Sequence, residues 1–161
     1  MSIGKVCSRQ HKEPQSDSGE DKLMKPSERY DSLFRYISEL YGFAGGEWLH
    51  FKAQVAAESN FNPEAVSSVG AKGLAQFMRP TWDEWGKGKD IYNPEANIDA
   101  QIRYMKWLLD RVTNWDCAYA AYNWGIGNIL RVWQDPYWKS KLPLETKSYL
   151  VHIDKFYEEY K

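Results

Sequence analysis

The segment from Asn93 to Val112, "NPEANIDAQIRYMKWLLDRV", leaves this chain little choice of local structure. Ile98, Ile102, Met105, Leu109 and Val112 recur three and four residues apart, the repeat of one helix face. Asn93 is a good N-cap, Pro94 suits the first helical position, and Glu95 meets the positive end of the helix dipole. A second helix is expected after Pro26 and Ser27, with Leu33, Phe34, Ile37, Leu40 and Tyr41 on its inner face. Three more are expected at "EWLHFKAQVAAES" (47–59), "WDCAYAAYNWG" (115–125) and "ETKSYLVHIDKFYEEY" (145–160). "GLAQFM", "RPTWDEWG" and "NILRVWQ" read as shorter helical pieces, and "NFNPEAVSSVGAKG", "KGKDIY" and "DPYWKSKLPL" as loops. No stretch alternates with the period of a strand. Such a chain must pack helix on helix, so the predicted fold class is mostly α.

With 161 residues the chain is about one domain long, enough to bury a core without staples. Residues 8–22 contain no large apolar residue. Residues 1–26 are therefore expected to form a flexible N-terminal arm, and residues 27–161 the folded domain. Lys plus Arg number 21 and Asp plus Glu 22, for a net charge of −1. That balance gives no electrostatic footprint for nucleic acid or an anionic membrane. No run is apolar for long enough to insert in a membrane. The three histidines lack ligand spacing, so neither a metal site nor a cofactor is expected. Cys117 lies in an apolar helical run and is expected to be a buried free thiol rather than a disulfide partner of Cys7.

Glu58 is the chemical oddity. It follows Val55, Ala56 and Ala57 and shares a helix face with Phe51 and Val55. Either it swings out to water at the helix end, or it is partly buried, with a raised pKa suited to a general acid. The loop "SSVGAKGLAQF" follows, where Gly70 and Gly73 permit close backbone approach. From spacing alone it reads first as a plain helix–helix connection. Gln76 just after it is a neutral donor and acceptor suited to hydroxyls or amides. Tyr122 and Asn123 stand at a helix end, either as core and cap or facing a cleft. The aromatic share is high, at 16% with 8 Trp. Most of these rings belong to the core, while Trp82, Trp85 and Trp124 adjoin the loops and are candidates for stacking on sugars.

Four motifs in order, "ESNFNPEAVSSVGAKGLAQFMRPTW", "NPEANIDAQIRYMKWLL", "AAYNWGIGN" and "LETKSYL", carry a resemblance. From about residue 45 to 155 the chain resembles the catalytic domain of soluble lytic transglycosylases. The resemblance implies a goose-type-lysozyme-like single domain with a central helix cluster and a substrate cleft. It places the family's acid/base glutamate on Glu58, its loop serine on Ser67, its motif glutamine on Gln76, and its Tyr-Asn pair on Tyr122 and Asn123. Glu145 and Tyr149 match its C-terminal element. Two positions depart from the pattern: Arg79 stands where a proline is usual, with Pro80 one place later, and Gln101 where a glycine is usual.

The implied function is an enzyme acting on peptidoglycan strands, a lytic transglycosylase that cleaves the MurNAc–GlcNAc β-1,4 bond and leaves 1,6-anhydroMurNAc. Glu58 would serve as general acid, then base. Substrate binding would fall to Ser67, Gln76, Tyr122, Asn123, Glu145 and Tyr149, with Trp82 and Trp124 as stacking platforms. A hydrolase of the same fold would need a second carboxylate, for which Asp83, Glu84 and Asp90 are the candidates. A catalytically idle wall-binding or assembly protein is the reading from another class. The start "MSIGKVCSRQHKEP" has no apolar signal region. The expectation is therefore synthesis in the cytoplasm and delivery to the wall by a holin, a virion or a secretion machine. A bacteriophage-type enzyme is favoured, with a virion or secretion-system partner reached through the arm.

Overall fold

The computed structural model describes residues 24–161. Most of the expected arm, with Cys7 and His11, lies outside the described residues. Among the described residues seven helices follow one another: α1 (Asp31–Leu40), α2 (Trp48–Ser59), α3 (Arg79–Trp85), α4 (Pro94–Leu109), α5 (Trp115–Trp124), α6 (Ile126–Ile129) and α7 (Leu144–Tyr160). A 3-10 turn, Trp138–Lys141, precedes α7. Among the described residues the only β features are antiparallel bridges pairing Val66 with Lys72 and Lys72 with Phe77. Among the described residues no helix is long and apolar enough to cross a membrane.

The fold is organised around α2. Every residue from Phe51 to Ala56 is buried, so this helix is covered on all sides and not on one stripe. It packs against α1 and α7, while α4 packs against α1, α3 and α5. Lys52 stays within the cover because Asp31 lies 2.7 Å from its ammonium group, with the Trp48 and Tyr160 rings alongside. Burial ends at the last turn of α2, where Ala57, Glu58 and Ser59 are half-buried. The register that covers Phe51 and Val55 therefore delivers Glu58 to the mouth of the core, at its rim.

The long helix begins as its sequence requires, with the Asn93 side chain accepting from the Ala96 amide at 2.9 Å. Its inner stripe runs through Ile98, Ile102, Met105 and Leu108, whereas Leu109 is half-buried. Leu40 was expected inside; at the last turn of α1 it is 61% exposed. Helix α5 ends at Gly125, whose φ of 95° suits glycine. Of "NILRVWQ" only Asn128 and Ile129 are helical, at the end of α6, and turns follow them. Cys117 is buried and free.

"GLAQFM" is a turn, not a helix. Tertiary hydrogen bonds win over local ones here. Buried Asn97 of α4 accepts from the Ala75 amide at 2.8 Å and donates to the Ile91 carbonyl at 2.8 Å. Gly73, at φ 79°, allows this approach: a Cβ there would lie 2.4 Å from Asn97 Nδ2 and 2.5 Å from the Ile91 oxygen. Gly73→Ala is expected to cost on the order of 3 kcal/mol, combining left-handed backbone strain with the clash. Urea denaturation at constant pH measures it. A loss below about 1 kcal/mol would mean that the loop shifts freely away from α4.

Candidate active site

The C-terminal turn of α2, the end of α5, the start of α7 and the loop over residues 60–78 are tied together at one end of the helix cluster. Each tie involves a residue singled out in the sequence. Tyr149 of α7 donates to Glu58 Oε1 at 2.6 Å. Thr146, one turn earlier, donates to Asn123 Oδ1 at 2.8 Å. Tyr122 of α5 donates to the Ala75 carbonyl at 2.8 Å and so holds the loop. Gln76 donates to the Gly73 and Ala65 carbonyls at 2.9 and 3.2 Å. Ser67 Oγ accepts from the Ala71 amide at 3.0 Å.

These bonds determine what remains for a ligand. Glu58 Oε1 is engaged by Tyr149, which leaves Oε2 for chemistry. Gln76 spends its amide hydrogens inside the loop and keeps its carbonyl oxygen as an acceptor. They also hold its backbone at φ 51°, an uncommon value for a side-chain-bearing residue. Ser67 keeps its hydroxyl proton, and Asn123, exposed near the end of α5, keeps its amide hydrogens. Tyr122 has committed its proton to the loop and offers its oxygen. The set combines one acid with neutral donors and acceptors, the composition suited to acetamido and hydroxyl groups.

Burial pushes the Glu58 carboxyl up from 4.5 to about 7, against the opposing pull of the Tyr149 hydrogen bond. The Tyr122 and Tyr149 phenols are pushed well above their ordinary range, first by burial and then by the nearby Glu58 charge. Glu58 thus carries a proton near neutrality among phenols that do not ionise there. That is the condition of a general acid that can later act as a base.

The structure does not leave every candidate open to a ligand. Trp82 is buried, with its indole N–H on the Lys89 carbonyl at 3.1 Å and its ring against Phe77. A Cβ on Gly86 would lie 2.3 Å from that ring, so Trp82 has no open face for a sugar. Trp85 is half-buried against Tyr104 and Trp107. Trp124 is half-buried at the end of α5, next to Asn123. Glu145 is exposed in the first turn of α7. The three candidate second carboxylates are exposed: Asp83 pairs with Arg79 at 2.7 Å, Asp90 caps the Tyr92 amide, and Glu84 follows Asp83 on α3. Among the described residues no cluster of His, Cys, Asp and Glu is arranged to hold a metal.

Two contributors were not legible as site residues. Asn97 fixes the loop that carries Gln76, and its only signal is an amide within an apolar helix stripe, which must find partners when buried. Gln54 donates to the Tyr149 hydroxyl at 3.0 Å from the centre of α2.

The transglycosylase SLT domain family matches residues 36–144. A membrane-bound lytic murein transglycosylase C of Serratia proteamaculans is 33% identical over 128 residues, covering 68% of this chain and 35% of that protein. A membrane-bound lytic murein transglycosylase F of Desulfosudis oleivorans is 32% identical over 108 residues, covering 63% of this chain and 23% of that protein. This chain therefore spans about a quarter to a third of the length of these relatives. The solved 70 kDa soluble lytic transglycosylase of Escherichia coli superposes with a TM-score of 0.68 at 25% identity, over 84% of this chain and 25% of that one.

Proposed function

The chain belongs to the transglycosylase SLT domain family, and on that premise we propose that it is a peptidoglycan lytic transglycosylase. The observation that carries the proposal is a half-buried carboxyl, raised to about 7 and gripped on one oxygen by Tyr149. Protonated Glu58 gives its proton to the oxygen joining MurNAc to GlcNAc, and the bond from that oxygen to C1 breaks. The 2-acetamido oxygen of the same muramic residue attacks C1 and holds the positive charge. Glu58, now a carboxylate, takes the proton from the C6 hydroxyl. The O6 oxygen attacks C1 and the acetamido group is released. The product is 1,6-anhydroMurNAc, no water is consumed, and Glu58 regains its proton.

The neutral groups have matching tasks. Gln76 accepts from an acetamido or hydroxyl donor, while Ser67 and Asn123 donate to carbonyl oxygens. Tyr122 offers its oxygen to the acetamido N–H. Burial and the Tyr149 hydrogen bond are the two influences on Glu58, and neither is a second carboxylate. That favours intramolecular attack, in which O6 is held close to C1, over a water that a base must position.

The test is mass spectrometry of peptidoglycan digested by the purified protein. Muropeptides ending in anhydromuramic acid, lighter by one water than hydrolytic products, are expected as the main early species. Reducing-end muramic acid in their place would make the protein a lysozyme of the same fold. Asp83, Glu84 and Asp90 would then be replaced singly to find the base.

A further inference from the structure

Gln54 and Gln101 are fully buried amides on neighbouring helices, α2 and α4. Gln101 Nε2 donates to the Phe51 carbonyl at 3.1 Å and to Gln54 Oε1 at 2.9 Å. Gln54 Nε2 donates to the Tyr149 hydroxyl at 3.0 Å, and that hydroxyl donates to Glu58 Oε1 at 2.6 Å. The direction of this chain is not arbitrary. A backbone carbonyl only accepts, so the Gln101 amide must turn its nitrogen toward Phe51. Its second hydrogen then requires the oxygen of Gln54, which turns the Gln54 nitrogen toward Tyr149. The Tyr149 oxygen must accept, and its one proton goes to Glu58. Gln101 Oε1 is left buried without a partner, so the orientation is set by the donors and at a cost.

We propose that Gln101 and Gln54 form a directional relay, anchored on the Phe51 carbonyl, that fixes Tyr149 as a donor to Glu58 and leaves the acid proton on Oε2. Both glutamines are positioning residues, and their role rests on Glu58 being the acid of the function proposed above. Without the anchor, Gln54 can turn its carbonyl toward Tyr149. Tyr149 then donates to Gln54 and accepts the Glu58 proton in its place. That alternative stabilises protonated Glu58 and aims its proton away from a substrate. The titratable groups facing Glu58 are Tyr149 from α7 and Tyr122 from α5, the latter packed on Tyr104 of α4. All three phenols are raised above their ordinary range, so the relay acts among neutral groups.

The test follows the Glu58 carboxyl carbon by NMR titration of 13C-glutamate-labelled protein, beside the pH profile of peptidoglycan cleavage. Gln101→Met is expected to raise the Glu58 midpoint by about half to one pH unit and to move the alkaline limb of activity the same way. Gln54→Met alone is expected to leave the midpoint close to wild type, because no carbonyl remains to compete for the Tyr149 proton. The double variant Gln54→Met with Gln101→Met is expected to return to the wild-type midpoint for the same reason. Gln101→Met without a shift, or a double variant shifted as far as Gln101→Met, would overturn the relay. If Gln101→Met does not fold, a shift in Gln54→Met overturns it equally. The NMR midpoints need no substrate: shifts as expected with no glycan cleavage would retain the relay and reject the enzymatic function.

Discussion

Glu58→Gln is expected to lower glycan cleavage by about 10²–10⁴-fold or more while the helices stay in place. The substitution is nearly isosteric, and the amide oxygen can still accept the 2.6 Å hydrogen bond from Tyr149. What it lacks is a proton to give and a charge to receive one. In the proposed mechanism one group serves both as acid and as base, so both halves of the reaction fail together. Turbidity loss of purified cell walls gives the rate, and circular dichroism shows whether the fold persists. A folded variant retaining near-wild-type cleavage would remove Glu58 from the mechanism.

The fold and the position of Glu58 were legible for the same reason. Helical spacing places Phe51, Val55 and Glu58 on one face, and the structure covers the first two and leaves the third at the rim. Capping chemistry likewise located α4 and the end of α5. Legibility failed where a tertiary partner outweighs local preference. "GLAQFM" looks helical alone, but Asn97 takes the Ala75 amide and the segment becomes a turn. Trp82 looked like a platform beside a loop, and the closeness of Gly86 that buries it is not written in spacing. Gln101 was visible only as a departure from the usual glycine. Its meaning depends on Gln54, a residue 47 positions away that sequence spacing does not connect. Polar residues in apolar stripes are thus the positions where a sequence poses a question that packing answers.

The same substitution is expected to make the protein more stable, and only at the higher end of the pH range. The Glu58 carboxyl titrates at about 7 in the fold against 4.5 ordinarily. Between these values the folded protein binds more protons at this site than the unfolded chain, so stability falls as pH rises from 4.5 to 7. Above 7 the penalty is complete, on the order of 3 kcal/mol. Below 4.5 the group is protonated in both states and the penalty vanishes. Gln carries no charge at any pH and therefore escapes the penalty. Urea denaturation at pH 8 is expected to favour Glu58→Gln over wild type by about 2–3 kcal/mol, and the advantage is expected to disappear at pH 4. An advantage of equal size at both pH values would point to packing and not to charge. No advantage at pH 8 would mean that ionised Glu58 is well solvated, and the cleft would then lack the desolvation that tunes its acid. The cost of holding that carboxyl at the core's edge is, on this view, the same physical effect that gives it a proton to donate at neutral pH.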